Sequence, residues 1–127
     1  MDLSKAYAVD KEAALEGKWL VTRAGFKVKI AKAGNQNFMN EVIKLQKPVL
    51  GLLRSSMDSS DLLTDITAEA MAKAILLDWE AENEGKSLPY SWEVGKAALL
   101  EYEDFREDIS ALSDNRNNFK PEEVAEK

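Results

Sequence analysis

Asp78, Glu80, Glu82 and Glu84 alternate with other residues and offer carboxylate oxygens of the kind that bind Ca²⁺ or Mg²⁺. No glycine-centred loop of the EF-hand type surrounds them, so the row reads as charge held in water at a fraying helix end. Ser55, Ser56, Ser59 and Ser60 supply hydroxyls, but a serine nucleophile needs a base. The chain has no histidine and no nucleophile-elbow sequence. It also lacks cysteine, which removes thiolate chemistry, disulfides and Cys-based zinc sites. Gly17, Gly25, Gly34, Gly51, Gly85 and Gly95 are scattered and build no phosphate-cradling loop. Lys27, Lys29 and Lys32 could form a phosphate-binding row, although lysines alternating along a strand serve as well to discourage edge pairing. No catalytic, cofactor or metal site emerges, and we expect a protein that is not an enzyme.

The chemistry left is binding. Val49, Leu50, Leu53, Met57, Leu62 and Leu63 surround Pro48 with more apolar side chains than one short amphipathic helix needs. They are the candidate partner-binding residues, with burial in the protein's own core as the competing reading. Trp19, Trp79 and Trp92 are assigned to the core, since aromatic residues dominate interiors as well as interfaces.

The elements that must position these residues follow from periodicity. Trp19 and Val21, a turn at Arg23-Ala24-Gly25, and then Phe26, Val28 and Ile30 alternating with Lys27 and Lys29 predict a β-hairpin. Trp19, Val21, Phe26, Val28 and Ile30 are expected on its buried face. Phe38, Val42, Leu45, Val49 and Leu52 are spaced 4, 3, 4 and 3, a helical stripe that Pro48 should kink or restart. Ser55 to Asp61 reads as a loop, and Thr67, with Ile66 and Met71 as a staple, predicts a helix over 68–81. That helix is apolar over most of its circumference, leaving Glu69, Lys73 and Glu80 as a narrow polar stripe. Leu88-Pro89-Tyr90 is an extended connector. Ser91 caps a helix with Trp92, Ala98, Leu99 and Tyr102 on one face, and Asp104 with Glu107 starts a last helix carrying Phe105, Ile109 and Leu112.

The fold class expected is α+β, predominantly helical, with an N-terminal β-hairpin packed on about four helices. Residues 1–119 would form a single globular domain and 120–127 a flexible acidic tail, with Phe119 folding back on the body. Residues 1–63 hold 10 Lys/Arg against 7 Asp/Glu, a charge of +3, while residues 64–127 hold 7 against 16, a charge of −9. An acidic half of this size argues against nucleic acid as a partner. Met1 to Asp10 carries no apolar run of signal-peptide length, and no stretch approaches the roughly 20 apolar residues of a spanning helix. A cytoplasmic protein without membrane partners is expected.

Two segments carry a family resemblance. One is Gly17-Lys18-Trp19 followed by Phe26-Lys27-Val28-Lys29-Ile30-Ala31-Lys32-Ala33-Gly34-Asn35. The other runs from Ala74-Ile75-Leu76-Leu77-Asp78-Trp79-Glu80 through Gly85, Leu88-Pro89-Tyr90-Ser91, Leu99-Leu100 and Phe105-Arg106 to Asn118-Phe119. In order and spacing, from Tyr7 to Phe119, the chain resembles the tail assembly chaperones of long-tailed, siphovirus-like bacteriophages. It departs from them at Glu101-Tyr102-Glu103-Asp104, where the family has a shorter corner. The resemblance implies a late protein of virion morphogenesis that acts in the host cytoplasm and is absent from the mature virion. Its implied partner is the tape measure protein, with tail tube protein and a second copy of the chain as further candidates. The same fold and composition would suit a structural minor tail protein retained in the virion.

Overall fold

The computed structural model describes residues 2–51 and 60–120. Two short helices open the chain, α1 (Leu3–Tyr7) and α2 (Lys11–Glu16). α2 starts where the Asp10 carboxylate accepts from the N–H groups of Glu12 and Ala13, both at 3.1 Å, which satisfies two donors that a helix start leaves unpaired. It stops at Gly17, whose φ is 89°. A Cβ there would lie 2.9 Å from Leu77 Cδ1, so both backbone and space call for glycine.

The expected hairpin is present, with β1 (Lys18–Val21) antiparallel to β2 (Lys27–Ile30), but its faces differ from expectation. Thr22 N donates to Phe26 O at 3.0 Å and Gly25 N to Thr22 O at 2.9 Å, so the loop Arg23-Ala24-Gly25 closes on a Thr22/Phe26 pair. That register sets Leu20 opposite Val28 and Trp19 opposite Lys29. Residues directly opposite share a face. Leu20, Phe26, Val28 and Ile30 therefore turn to the core, while Trp19 and Val21, 44% and 56% exposed, stand on the other face with Lys27 and Lys29. A three-residue loop pairs positions of equal parity, which the expected combination of Trp19 and Val21 with Phe26, Val28 and Ile30 violates.

Residues 31–35 tie the strands to the helices. Ala31 N donates to Ile75 O at 2.8 Å, Lys32 N to Ala14 O at 2.9 Å and Ala33 N to Ser113 O at 3.0 Å. Buried Asn35 donates from Nδ2 to Lys32 O and Ala74 O, and its Oδ1 accepts from Phe38 N at 2.9 Å, capping α3 (Gln36–Gln46). A 3₁₀ turn, Lys47–Val49, follows with Pro48 in its first turn, the break that proline's missing donor requires.

α4 (Ser60–Ala74) runs straight through Thr67, so the expected cap and staple do not form. Leu62 and Ile66 extend the spacing of Ala70 and Ala74 backwards, and this continuity outweighs the capping preference of Thr67. Ile66, Ala68, Ala70, Met71, Ala72 and Ala74 are all buried, which explains a helix apolar nearly all round. The second correction lies at its end. Leu76–Trp79 is not helix but β3, pairing antiparallel with β2 to give the order β1-β2-β3, with Leu77 as an extra residue in the ladder. β4 (Ala81–Asn83) and β5 (Lys86–Leu88) then make a separate hairpin. Its two-residue loop, Glu84-Gly85, has φ values of 54° and 79°, the paired positive angles of a tight β-turn.

Ser91 caps α5 (Trp92–Glu101) as expected, its Oγ accepting from Val94 N at 3.3 Å. α6 (Glu103–Asp114) follows after Tyr102 alone. The Asp104/Glu107 capping box is not made, because the N-cap position falls two residues earlier, at Tyr102, and places Glu103 and Asp104 in a first turn whose N–H groups favour acids. Tyr102, expected on the buried face of α5, leaves the helix and is 61% exposed. A 3₁₀ turn, Arg116–Phe119, brings Phe119 back into the core, where it has no exposed surface. Val28, Ile30, Met71, Ile75, Leu76, Trp79, Leu99, Ile109 and Phe119 share that core. The protein is α+β and mostly helical, with a small antiparallel sheet.

Candidate functional site

Several residues of the second segment that carries the resemblance meet in one place. The Trp79 indole N–H donates to Leu88 O at 2.8 Å, fastening β3 to β5. Tyr90 meets Trp79 edge to face, with ring centroids 5.0 Å apart, a geometry aromatic pairs favour. Its hydroxyl lies 2.5 Å from Ala72 O, in the last turn of α4, and 2.7 Å from Leu76 O, at the start of β3, so it sits where the helix hands over to the strand. Burial, followed by the nearby Asp78 carboxylate, pushes the Tyr90 phenol well above its ordinary pKa. Gly95 on α5 makes room for this ring: a Cβ there would sit 2.6 Å from Tyr90 Cε1. Arg106 donates to Leu99 O at 3.1 Å, closing the end of α5, and Asn118 donates to Leu112 O at 3.0 Å near the end of α6.

Beside this joint opens a cleft of about 350 Å³ lined by Phe26, Trp79, Ala81, Glu82, Leu88, Ala98, Tyr102 and Phe105. Three parts of the fold converge to form it: the first hairpin supplies Phe26, β3 to β5 supply one wall, and the α5/α6 corner supplies the other. Phe105 stacks on Phe26 with centroids 5.7 Å apart and stands 6.2 Å from Trp79, so the floor is a continuous aromatic surface. Glu101, Glu103 and Asp104 are exposed beside Tyr102 and Phe105, and Glu82 adds a fourth carboxylate from β4. An apolar floor with an acidic rim can bind; it holds no nucleophile with a base beside it.

Away from the cleft, the polar stripe of α4 is a cross-helix ion network. Glu69 accepts from Lys73 at 2.8 Å and from Lys96 of α5 at 3.1 Å, and Lys96 also reaches Asp65 at 3.1 Å. The hydrogen bond from Lys73 holds the Glu69 carboxyl below the usual carboxylate range. Lys73 also lies 3.5 Å from Glu41 of α3, whose buried Oε1 makes no hydrogen bond, and 4.3 Å from the Trp92 ring centre. Trp92 is thus a half-buried partner of this network, not the fully buried core residue expected; Trp79, 7% exposed, is core.

The candidate partner-binding residues lie elsewhere. Val49 sits half-buried in the 3₁₀ turn after α3 and Leu62 half-buried in the first turn of α4, while Leu50 and Leu63 are exposed. None of these four lines the cleft, and Leu53 and Met57, like Ser55, Ser56, Ser59 and the residues of the expected tail from 121 onward, lie outside the described residues. Asp78, Glu82 and Glu84 fall on β3, β4 and the hairpin turn. Among the described residues no group of three or more acidic side chains is placed to hold a metal ion. The wall of the cleft depends on the β4–β5 hairpin, whose signal in the sequence is weak: Glu84-Gly85 between Ala81-Glu82-Asn83 and Lys86-Ser87-Leu88, three-residue runs too short to show a period.

These features define a mostly helical α+β protein built round one aromatic joint, with an apolar cleft at its side. The chain belongs to the YdaY prophage protein family, whose model matches residues 30–127. That match takes in every lining residue of the cleft except Phe26, and it makes this a phage-associated protein. No curated protein and no solved structure matches the chain.

Proposed function

We propose that the protein is a non-catalytic tail assembly chaperone that binds the tape measure protein in the host cytoplasm and recruits tail tube protein as the tube polymerises. The observation that carries this reading is the joint itself. Trp79, Gly85, Leu88, Tyr90, Leu99, Phe105, Arg106 and Phe119 are spread over some forty residues of sequence, yet Trp79, Leu88, Tyr90, Phe105 and the Arg106–Leu99 bond form one connected set, and Phe119 joins the same core. A likeness scattered along the chain that gathers in space is likelihood for a shared fold, since chance matches have no reason to touch. Membership in a prophage family supports the biological setting. An acidic protein with an open apolar cleft also suits the task of shielding apolar stripes on long helices until they are needed.

Affinity purification from prophage-induced cells, with mass spectrometry of both the purified protein and finished particles, tests this. The tape measure protein should co-purify and the chain should be missing from the particles. Its presence there at stoichiometric levels would make it a minor tail protein instead.

A further inference from the structure

The walls of the α5/α6 cleft have a chemistry that selects an occupant. Its apolar lining, from Phe26, Trp79, Leu88, Tyr102 and Phe105, accepts a large side chain, and its volume of about 350 Å³ falls near the low end of the roughly 300–1,000 Å³ range of pockets that enclose organic groups. The space continues beyond that lining. A second hollow of about 470 Å³, reaching Pro89 and Tyr90, shares Trp79, Ala81, Glu82 and Leu88 with it. The two adjoin along the β4–β5 hairpin and offer more room than a single side chain fills.

Carboxylates stand on both sides of the cleft. Glu82 lines it from β4, and exposed Glu101, Glu103 and Asp104 belong to the α5/α6 corner beside Tyr102 and Phe105. Among the described residues Glu82, Glu101 and Asp104 form no ion pair, and Glu103 reaches Arg106 only at 3.9 Å. The cations nearby are few or already engaged. Arg106 donates to Leu99 O, Arg23 is bonded to Asp108, and Lys86 stands opposite Asn83 toward the tip of the β4–β5 hairpin. Asp78 and Glu80 add no net charge, because Lys29 stands opposite Asp78 and Glu80 bonds through its N–H to Lys27 O. The four carboxylates at the cleft therefore leave its rim acidic even with Lys86 and Arg106 set against them.

We propose that this cleft receives a cationic helix of a partner protein. One large apolar side chain of that helix enters over the Phe26/Phe105 floor, and lysines or arginines about one turn before and after it meet Glu82 on one wall and Glu101 and Asp104 on the other. Helical spacing suits this arrangement, because residues three or four positions from the anchor share its face. Charge steers the encounter and fixes its orientation. An acidic helix with the same apolar pattern is rejected, since it would bring like charges to both walls. The inference deepens the chaperone reading and rests on it for the partner's being a helix.

An NMR titration of the ¹⁵N-labelled full chain tests the proposal. The probe is a synthetic alanine and glutamine helix of roughly 18 residues, long enough to be helical, with one central tryptophan and lysines one turn to either side. At about 0.15 M salt, where distant charges are screened, it should shift the amides of Glu82, Leu88, Ala98, Tyr102 and Phe105. Those of Met39 and Ile43, exposed apolar residues on α3, should stay in place. Replacing the lysines of the probe by glutamates, or its tryptophan by alanine, should weaken binding at least roughly ten-fold. Tyr102→Ser should do the same; the position is exposed and serine is favoured at the start of a helix, so the variant should fold. Glu82→Lys with Glu101→Lys should also weaken the lysine probe at least roughly ten-fold and bind the glutamate probe better than the wild type does, a gain that structural damage would not produce. Glu12→Lys with Glu16→Lys on α2, the same change in net charge away from the cleft, should weaken it less than roughly two-fold. A lysine probe that does not bind, shifts centred on another surface, equal binding of the glutamate probe, or equal loss in the two charge-reversed variants would each overturn the proposal. The two readings fail separately, since none of these results bears on co-purification with the tape measure protein.

Discussion

Tyr90 and Gly95 illustrate how tightly a single side chain can be tied to one missing from its neighbour. Gly95 lies in the second turn of α5, where alanine would ordinarily favour the helix by about 1 kcal/mol. Here a Cβ would press into the Tyr90 ring, at 2.6 Å from Cε1 and 2.8 Å from Cζ. The ring cannot retreat without taking its hydroxyl from Ala72 O and Leu76 O, buried acceptors whose loss costs about 1–3 kcal/mol. Gly95→Ala should therefore destabilise the wild type by about 1–3 kcal/mol, as overpacking does, despite its better helix propensity. In a Tyr90→Ala background the obstacle is gone, and the same change should stabilise by up to about 1 kcal/mol. Urea midpoints of the four proteins decide this; a Gly95→Ala effect of one sign in both backgrounds would mean that Tyr90 is not the reason for the glycine.

The helices depend on an ion network as well as on apolar packing. Glu69 is bonded to Lys73 on its own helix and to Lys96 on α5. Its folded pKa is lowered below the ordinary 4.5 by the Lys73 hydrogen bond, with burial opposing, so its stabilising effect is complete above that value and is lost as pH falls through the folded pKa. Lys73 is raised above 10.5 chiefly by its bond to Glu69, and its contribution is complete below 10.5 and lost only as pH rises through the folded value. Between those limits Glu69→Gln should cost about 1–2 kcal/mol, a range for charged hydrogen bonds discounted for partial exposure. Urea titrations should show this difference shrinking below pH 4.5; a difference constant to pH 3 would contradict the linkage. The sequence displayed part of this arrangement. Glu69 and Lys73 were visible as a polar stripe, and Asn35 to Gln46, the Pro48 break and the Ser91 cap could be read from spacing and capping chemistry. Leu76 to Trp79 could not, because a short apolar run after a helix fits either period, and the free edge of β2 decided the matter by offering hydrogen bonds to a third strand. The hairpin faces are set by the loop length: three residues between Thr22 and Phe26 pair positions of equal parity, so Trp19 and Val21 cannot share a face with Phe26, Val28 and Ile30.

In the molecule as a whole, the two ends of the described chain are held against each other by Phe119. Its side chain is fully buried in the same core as Val28, Ile30 and Leu76, and its carbonyl accepts from Asp10 N at 2.7 Å, just where α2 begins. α2 in turn passes its Ala14 carbonyl to Lys32 N, and the following Ala33 N bonds to Ser113 O of α6. The first helices, the segment after β2 and the last helix thus form a closed circuit in which Phe119 is the anchor and the rest are backbone hydrogen bonds. Removing its ring should do more than leave a cavity. Phe119→Ala is expected to destabilise the protein by about 3–5 kcal/mol, as core aromatic truncations do, and to release α2 before the rest of the molecule opens. Native-state hydrogen exchange separates the two effects, since local opening exposes only the amides whose partners are lost. The amides of Asp10, Ala14, Gly17 and Lys32 should lose protection in Phe119→Ala under conditions where those of Val28 and Ile75 retain it. Uniform loss across both groups would mean that the circuit does not exist as a separable unit and that Phe119 serves the core alone.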